Sequence, residues 1–244
     1  MRWLAIVLAG CASAGTPDNA VVDSNPGGGS DGNQIVIDGS MTDGPSGPMT
    51  RTLTQTTSQT IKALNSVACP GSTSATTSSN NYYRVFDLPM MGITAPFNVT
   101  KVSFQIEQCQ PTSGTTCTNV AVRVGTYGAI PGATLATANM TILASNATVP
   151  VQTVIETATS TPGGTVDAPI TATIAAGAKL LVEVDAPNTG TYKFRMGSND
   201  AGESGFGYVM APDCAITVPT NISGMLGTTP AAPRHLLMTV TGTY

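Results

Sequence analysis

Apolar side chains return at every second position in five separate stretches of this chain, and that period belongs to strands buried on one face. In Lys101-Val102-Ser103-Phe104-Gln105-Ile106-Glu107, Val, Phe and Ile share one side while Lys, Ser, Gln and Glu share the other. Val120, Val122 and Val124 alternate with Ala121 and Arg123, and Leu180, Val182 and Val184 with Lys179 and Glu183. Tyr192, Phe194 and Met196 alternate with Lys193 and Arg195, and Leu236, Met238 and Val240 with an outward His235 and Thr239. Less regular strands are predicted at 51–56, 82–88, 140–144, 150–157 and 169–174. Turn signals such as Pro131-Gly132, Pro162-Gly163-Gly164 and Pro187-Asn188 separate the strands. About ten strands at this spacing, with no helical period longer than two turns, predict an all-β antiparallel sandwich over residues 50–244. Composition agrees, because charged residues make up only 10% of a chain that holds 26 Gly and 17 Pro.

The first ten residues read Met-Arg-Trp-Leu-Ala-Ile-Val-Leu-Ala-Gly, a positive start, a short apolar run and a small-residue close. The run falls short of the roughly 20 apolar residues that span a bilayer. Leu8-Ala9-Gly10-Cys11 resembles the lipobox of bacterial lipoproteins. The resemblance implies that residues 1–10 are a signal peptide and that the Cys11 thiol carries palmitate-type acyl chains. It also implies a membrane partner reached through that anchor, since two or three acyl chains hold stably where one does not. Ala12 follows the Cys where Asp would imply inner-membrane retention, so the implied address is the bacterial envelope at the outer membrane or cell surface.

Residues 11–49 are expected to be a flexible, disordered linker. They contain Pro26-Gly27-Gly28-Gly29-Ser30 and Asp43-Gly44-Pro45, and carry Asp18, Asp23, Asp31, Asp38 and Asp43 without a base. Such a tether has an r.m.s. span of very roughly 35 Å. Its one apolar patch, Ile35-Val36-Ile37, is a candidate edge strand. From Arg51 onward nine bases balance nine acids, and no basic stripe exists, which argues against nucleic acid as a partner.

The run Tyr82-Tyr83-Arg84-Val85-Phe86-Asp87-Leu88, the strand with Val102, Phe104 and Ile106, and the Val-rich strand closing on Gly125-Thr126-Tyr127 together resemble β-jelly-roll modules that accompany secreted bacterial hydrolases. Gly207-Tyr208-Val209-Met210-Ala211-Pro212-Asp213-Cys214 and the stretch from His235 to Gly242 extend the likeness over roughly residues 80–244. It implies an accessory module and no activity by itself.

With Cys11 set aside, Cys69, Cys109, Cys117 and Cys214 remain, an even number that suggests two disulfides among three connectivities. Cys109 and Cys117 flank a loop between two strong strands, so their closure needs little chain displacement and leaves Cys69 for Cys214. No Cys-x-x-Cys is present, which argues against a zinc site.

Catalytic constellations are sparse. His235 is the only His, and no Gly-x-Ser-x-Gly elbow accompanies it. Glu183 and Asp185 share a strand face about 7 Å apart, the one pairing that would suit a carboxylate-dependent hydrolase. Asn199, Asp200 and Glu203, with Asp213 further on, gather hard oxygen ligands in a Gly-bearing region and are candidate calcium ligands. Trp3 is the only Trp and lies in the signal, so Tyr127 and Tyr208, both near loops, are the candidates to stack on a carbohydrate. The leading expectation is a non-enzymatic surface lipoprotein that presents a β-sandwich for binding or adhesion, with carbohydrate or an envelope protein as ligand. The competing expectations are the carboxylate-dependent hydrolase and a structural envelope protein without a ligand.

Overall fold

The strand-forming Val, Ile, Thr and Tyr residues resolve into thirteen strands among the described residues of the computed structural model. It describes residues 47–244 apart from 74, 115–116, 156–162 and 226–232. The signal, Cys11, Ile35-Val36-Ile37 and nearly all of the 11–49 linker lie outside the described residues. In chain order the strands are β1 (Thr50–Leu53), β2 (Asn80–Asp87), β3 (Phe97–Pro111), β4 (Thr118–Tyr127), β5 (Met140–Val151), β6 (Gly164–Ile174) and β7 (Lys179–Ala186). They continue as β8 (Tyr192–Met196), β9 (Ser198–Asn199), β10 (Gly207–Ala211), β11 (Ile216–Asn221), β12 (His235–Leu236) and β13 (Met238–Thr243). Among the described residues no helix is long and apolar enough to cross a membrane.

Eight strands make the frame. Antiparallel pairing orders them β1-β13-β3-β6 in one sheet and β2-β7-β4-β5 in the other, the winding of a jelly roll. The period-two pattern decides which side chains lie between the sheets. On β6, Val166, Ala168, Ile170, Ala172 and Ile174 are buried and the residues between them are exposed. They meet Val120, Val122 and Val124 of β4, Leu180, Val182 and Val184 of β7, and Val102, Phe104 and Ile106 of β3 in one core. Each large side chain fully buried in this way contributes about 1.5–3 kcal/mol. Pro150, Pro169 and Pro219 sit in β5, β6 and β11, the outermost strands of their sheets, where a missing N–H breaks no ladder and discourages edge-to-edge association.

Residues 187–237 are inserted between the last two frame strands and carry β8 to β12. β10 and β11 extend the second sheet beyond β2. β3 pairs with β6 along one edge as far as Ile106 and, at that residue, changes partner along the other, from β13 to β8. At the change three backbone bonds close a triangle. Gln105 N–H donates to Leu237 O at 3.0 Å, Leu237 N–H to Gly197 O at 3.1 Å and Gly197 N–H to Gln105 O at 2.7 Å. Gly197 is required there, because a Cβ would lie 2.8 Å from the Gln105 Cβ. Beyond the triangle β9 and β12 leave as a separate antiparallel ribbon.

This junction corrects the sequence reading of 236–240 as one strand. The alternation breaks at Leu237, residues 235–238 are all buried, and His235 is enclosed rather than outward. Glu107, placed by alternation on the outer side of β3, is also buried. Its carboxylate accepts from Leu64 N–H at 2.6 Å, from Ser66 N–H at 3.0 Å and from the Ser66 hydroxyl. Those bonds hold a turn in which Leu64 has φ 60°, and the turn covers Glu107. The strands expected at 51–56 and 150–157 stop at Leu53 and Val151. Both expected disulfides are present. Cys109 and Cys117 close the β3–β4 connection with Cα atoms 5.8 Å apart, and Cys69 and Cys214 join the segment before β2 to the turn after β10 at 5.9 Å.

Candidate functional site

Tyr82, Arg84 and Phe86 occupy the inward phase of β2. A cation placed inward must find acceptors inside the protein, because an unpaired buried charge is prohibitively costly. Arg84 is 0% exposed and finds four. Nε and Nη2 donate to Leu236 O at 3.0 and 2.6 Å, Nη1 to Gln55 Oε1 at 3.0 Å and Gly205 O at 2.8 Å, and Nη2 to Glu203 Oε2 at 3.3 Å. Gln55 turns its amide N–H to Val85 O at 2.8 Å. The second Glu203 oxygen accepts from the Ser223 hydroxyl at 3.3 Å and lies 3.6 Å from His235 Nε2. At Gly205 a Cβ would collide with the Gln55 amide, so only glycine lets the two segments approach. Burial pulls the Arg84 pKa down and Glu203 pulls it back up; a guanidinium stays charged at any ordinary pH. The network therefore pins the 203–205 segment of the insertion to the frame.

The opposite face of the second sheet carries a smaller core of Tyr83, Val85, Leu181 and Tyr208, roofed by Tyr127 and Leu135. The Tyr127 hydroxyl accepts from Ala136 N–H at 3.1 Å and the Tyr208 hydroxyl donates to Gly132 O at 2.9 Å. Both rings are buried and hold the 128–136 roof against the sheet, which corrects the assignment of Tyr127 as a sugar-stacking surface, whereas Tyr208 also lines the cleft beside the roof. Burial, helped by the nearby Tyr127 and Glu203, pushes the Tyr208 hydroxyl up to about 12.

Beside the roof opens a cleft of about 610 Å³, within the size range of small-molecule sites. Val85 and Tyr208 form its base, and the inserted segment supplies Glu203 to Phe206 along one side. Its lips are apolar and face water: Met90 is 86% exposed, Ile130 85% and Phe206 45%. The Phe206 ring stands edge-on to Tyr208 with centroids 6.4 Å apart. Asp87 and Lys179, cross-strand partners on β2 and β7, also line the cleft, with Nζ 3.8 Å from Oδ2. The other Asp87 oxygen accepts from Met90 N–H at 3.2 Å.

Of the remaining predicted residues, Glu183, Asp185, Asn199, Asp200 and Glu203 are engaged by other partners. Arg123 binds Glu183 at 2.9 Å and Asp185 at 3.0 Å, and Glu183 also accepts from Asn81 Nδ2 at 2.8 Å and the Tyr83 hydroxyl at 3.2 Å. A carboxylate pair bridged by a guanidinium is poorly placed to act as acid and nucleophile. The calcium candidates are dispersed among other partners. Asn199 is buried and donates to Ser58 O at 2.9 Å and Thr60 O at 3.1 Å, Asp200 pairs with Lys62, Glu203 with Arg84, and Asp213 sits exposed on the turn before Cys214. Among the described residues no three of His, Cys, Asp and Glu gather closely enough to hold a metal ion.

No family model, no curated protein and no solved structure matches this chain. The cleft therefore has to be read from its own residues. Sequence reasoning missed Arg84, Met90, Ile130 and Phe206. One signal for Arg84 was available: a lone charge between Tyr82 and Phe86 in the inward phase of a strand demands a counter-ion elsewhere in the chain. Phe206, set between Gly205 and Gly207, reads locally as a loop residue.

Proposed function

We propose that the protein is a bacterial envelope lipoprotein, anchored through Cys11 at the outer membrane or cell surface, whose jelly roll serves as a non-enzymatic binding module. The cleft between frame and insertion is its ligand site. The observation that carries this reading is the contrast between the cleft's two sides. Its backing is fixed by the fully buried Arg84 and its partners, while its lips leave Met90, Ile130 and Phe206 in water. Large apolar side chains clustered in water favour association with a ligand over solubility. They also sit on an insertion and on turns around a frame of paired strands, the usual division between scaffold and function. The engagement of Glu183 and Asp185 by Arg123 supports binding over hydrolysis.

The test has two arms. Native protein should partition with membranes after high-salt washing and Cys11→Ser should not; retention of the variant would overturn the anchor. A thermal-shift panel of envelope glycans, peptides and small amphiphiles should yield ligands that raise the melting temperature of the wild type and not of Met90→Ser/Ile130→Ser. Ligands that act equally on both proteins would overturn the cleft as the site.

A further inference from the structure

The charges around the cleft cancel in pairs. Asp87 faces Lys179, and Glu203 faces Arg84. The two pairs differ in how completely they are satisfied. Arg84 and Glu203 are locked into a network in which every side chain has further partners. Lys179 and Asp87 stand 3.8 Å apart, beyond the usual 2.7–3.2 Å of a hydrogen bond, on the wall of the cleft. An ammonium and a carboxylate held that far apart leave N–H donors and a carboxylate oxygen open to a third group. The best complement is a group that accepts from Lys179 and donates to Asp87 at once, such as a hydroxyl or a primary amide. A net charge on the ligand gains one of these interactions and opposes the other, and it must shed water against Val85, Met90, Ile130 and Phe206.

Resting on the cleft as the binding site, we infer that its ligand class is an uncharged amphipathic molecule. An apolar ring or chain lies between Met90, Ile130 and Phe206, and a donor-acceptor group bridges Lys179 and Asp87. The charge-balanced wall is the selectivity device, and it is built from the cross-strand register that places Asp87 opposite Lys179.

Two fluorescent probes with the same ring system separate the alternatives. N-phenyl-1-naphthylamine is neutral and carries an N–H; 8-anilinonaphthalene-1-sulfonate adds a sulfonate. Titrated against the full-length protein, the neutral probe should bind at least tenfold more tightly than the sulfonate. Asp87→Asn keeps the Oδ1 acceptor for Met90 N–H but puts an amide N–H in place of Oδ2 and frees the Lys179 charge, so it should raise sulfonate affinity at least fivefold and weaken the neutral probe, whose N–H loses its acceptor. Met90→Ser/Ile130→Ser should weaken the neutral probe at least fivefold. If both probes bind equally and both are weakened by Met90→Ser/Ile130→Ser, the cleft binds ligand but the charge balance does not select, and the neutral ligand class is wrong while the binding site stands. An unchanged probe ratio in Asp87→Asn would overturn the ligand class in the same way. If neither probe responds to the lip variants, the cleft itself is not a binding site and both readings fall.

Discussion

Replacing Glu203 with Gln removes the counter-ion of a guanidinium that has no access to water. Arg84 would keep Leu236 O, Gln55 Oε1 and Gly205 O as acceptors, and the new amide oxygen could replace the carboxylate geometrically. What is lost is the compensation for a buried charge. Breaking a buried pair by neutralising one partner costs about 3–5 kcal/mol, and the retained acceptor places this variant near about 3 kcal/mol. For a folded unit of this size, about 2–4 °C of melting temperature accompanies each kcal/mol, so a fall of about 6–12 °C is expected. Equilibrium urea unfolding should show the loss as a lower midpoint at constant slope. Asp200→Asn is the matched control: its pair with Lys62 has side chains 41% and 47% exposed, and the variant should unfold with the wild type. Arg84→Met takes the donor from all four acceptors, the Glu203 carboxylate among them, and should cost at least as much as Glu203→Gln. The two changes should combine with a coupling of about 1–3 kcal/mol, since they share one network. A Glu203→Gln variant within about 1 kcal/mol of wild type, or strict additivity with Arg84→Met, would refute the account of the cleft's fixed backing.

Other consequences concern the cross-links and the pH limits of the fold. In the chain-entropy model, opening the Cys69 to Cys214 link, with a sequence separation of 145, costs about 5 kcal/mol. Opening the Cys109 to Cys117 link, with a separation of 8, costs about 2.5 kcal/mol. Urea midpoints of the paired Cys→Ser variants should rank in that order, and equal losses would count against the entropic explanation. Tyr208 is held protonated in the fold, with its pKa raised from 10.0 to about 12. The stability it contributes is complete below pH 10 and lost as pH rises toward 12. Absorbance at 295 nm should thus report Tyr82, Tyr83, Tyr192 and Tyr208, all raised by burial, ionising together with unfolding; ionisation of every tyrosine near pH 10 with an intact circular-dichroism signal would contradict this. Asp167 has the opposite sign. The Ser103 hydroxyl at 2.6 Å and Lys101 at 3.0 Å hold its pKa below 3.8. Its contribution is present above that value and disappears as pH falls through the depressed one. A carboxyl titration by NMR that places Asp167 at or above 3.8 would remove the basis for this effect.

The period-two pattern determined much of this protein without any knowledge of tertiary contacts. A side chain's face follows from the parity of its position once a strand forms, so the inward Val, Phe, Ile and Leu of β3, β4 and β7 were readable from sequence, as was an all-β sandwich. Cysteine parity and the short Cys109 to Cys117 loop were enough to give the cross-links. Parity fails where a strand changes partner. At the Gln105, Gly197 and Leu237 junction the alternation resets, and His235 passes from a predicted surface to an interior ribbon. It is also silent about what covers an outward face, which is how Tyr127, Tyr208 and Glu183 came to be buried beneath residues distant in the chain. The cleft needs three such distant pieces at once: a turn after β2, the roof after β4 and the insertion before β13. No local pattern encodes their meeting, because it depends on the long-range strand order of the jelly roll and on Arg84 drawing residues 55, 203, 205 and 236 to a single buried charge.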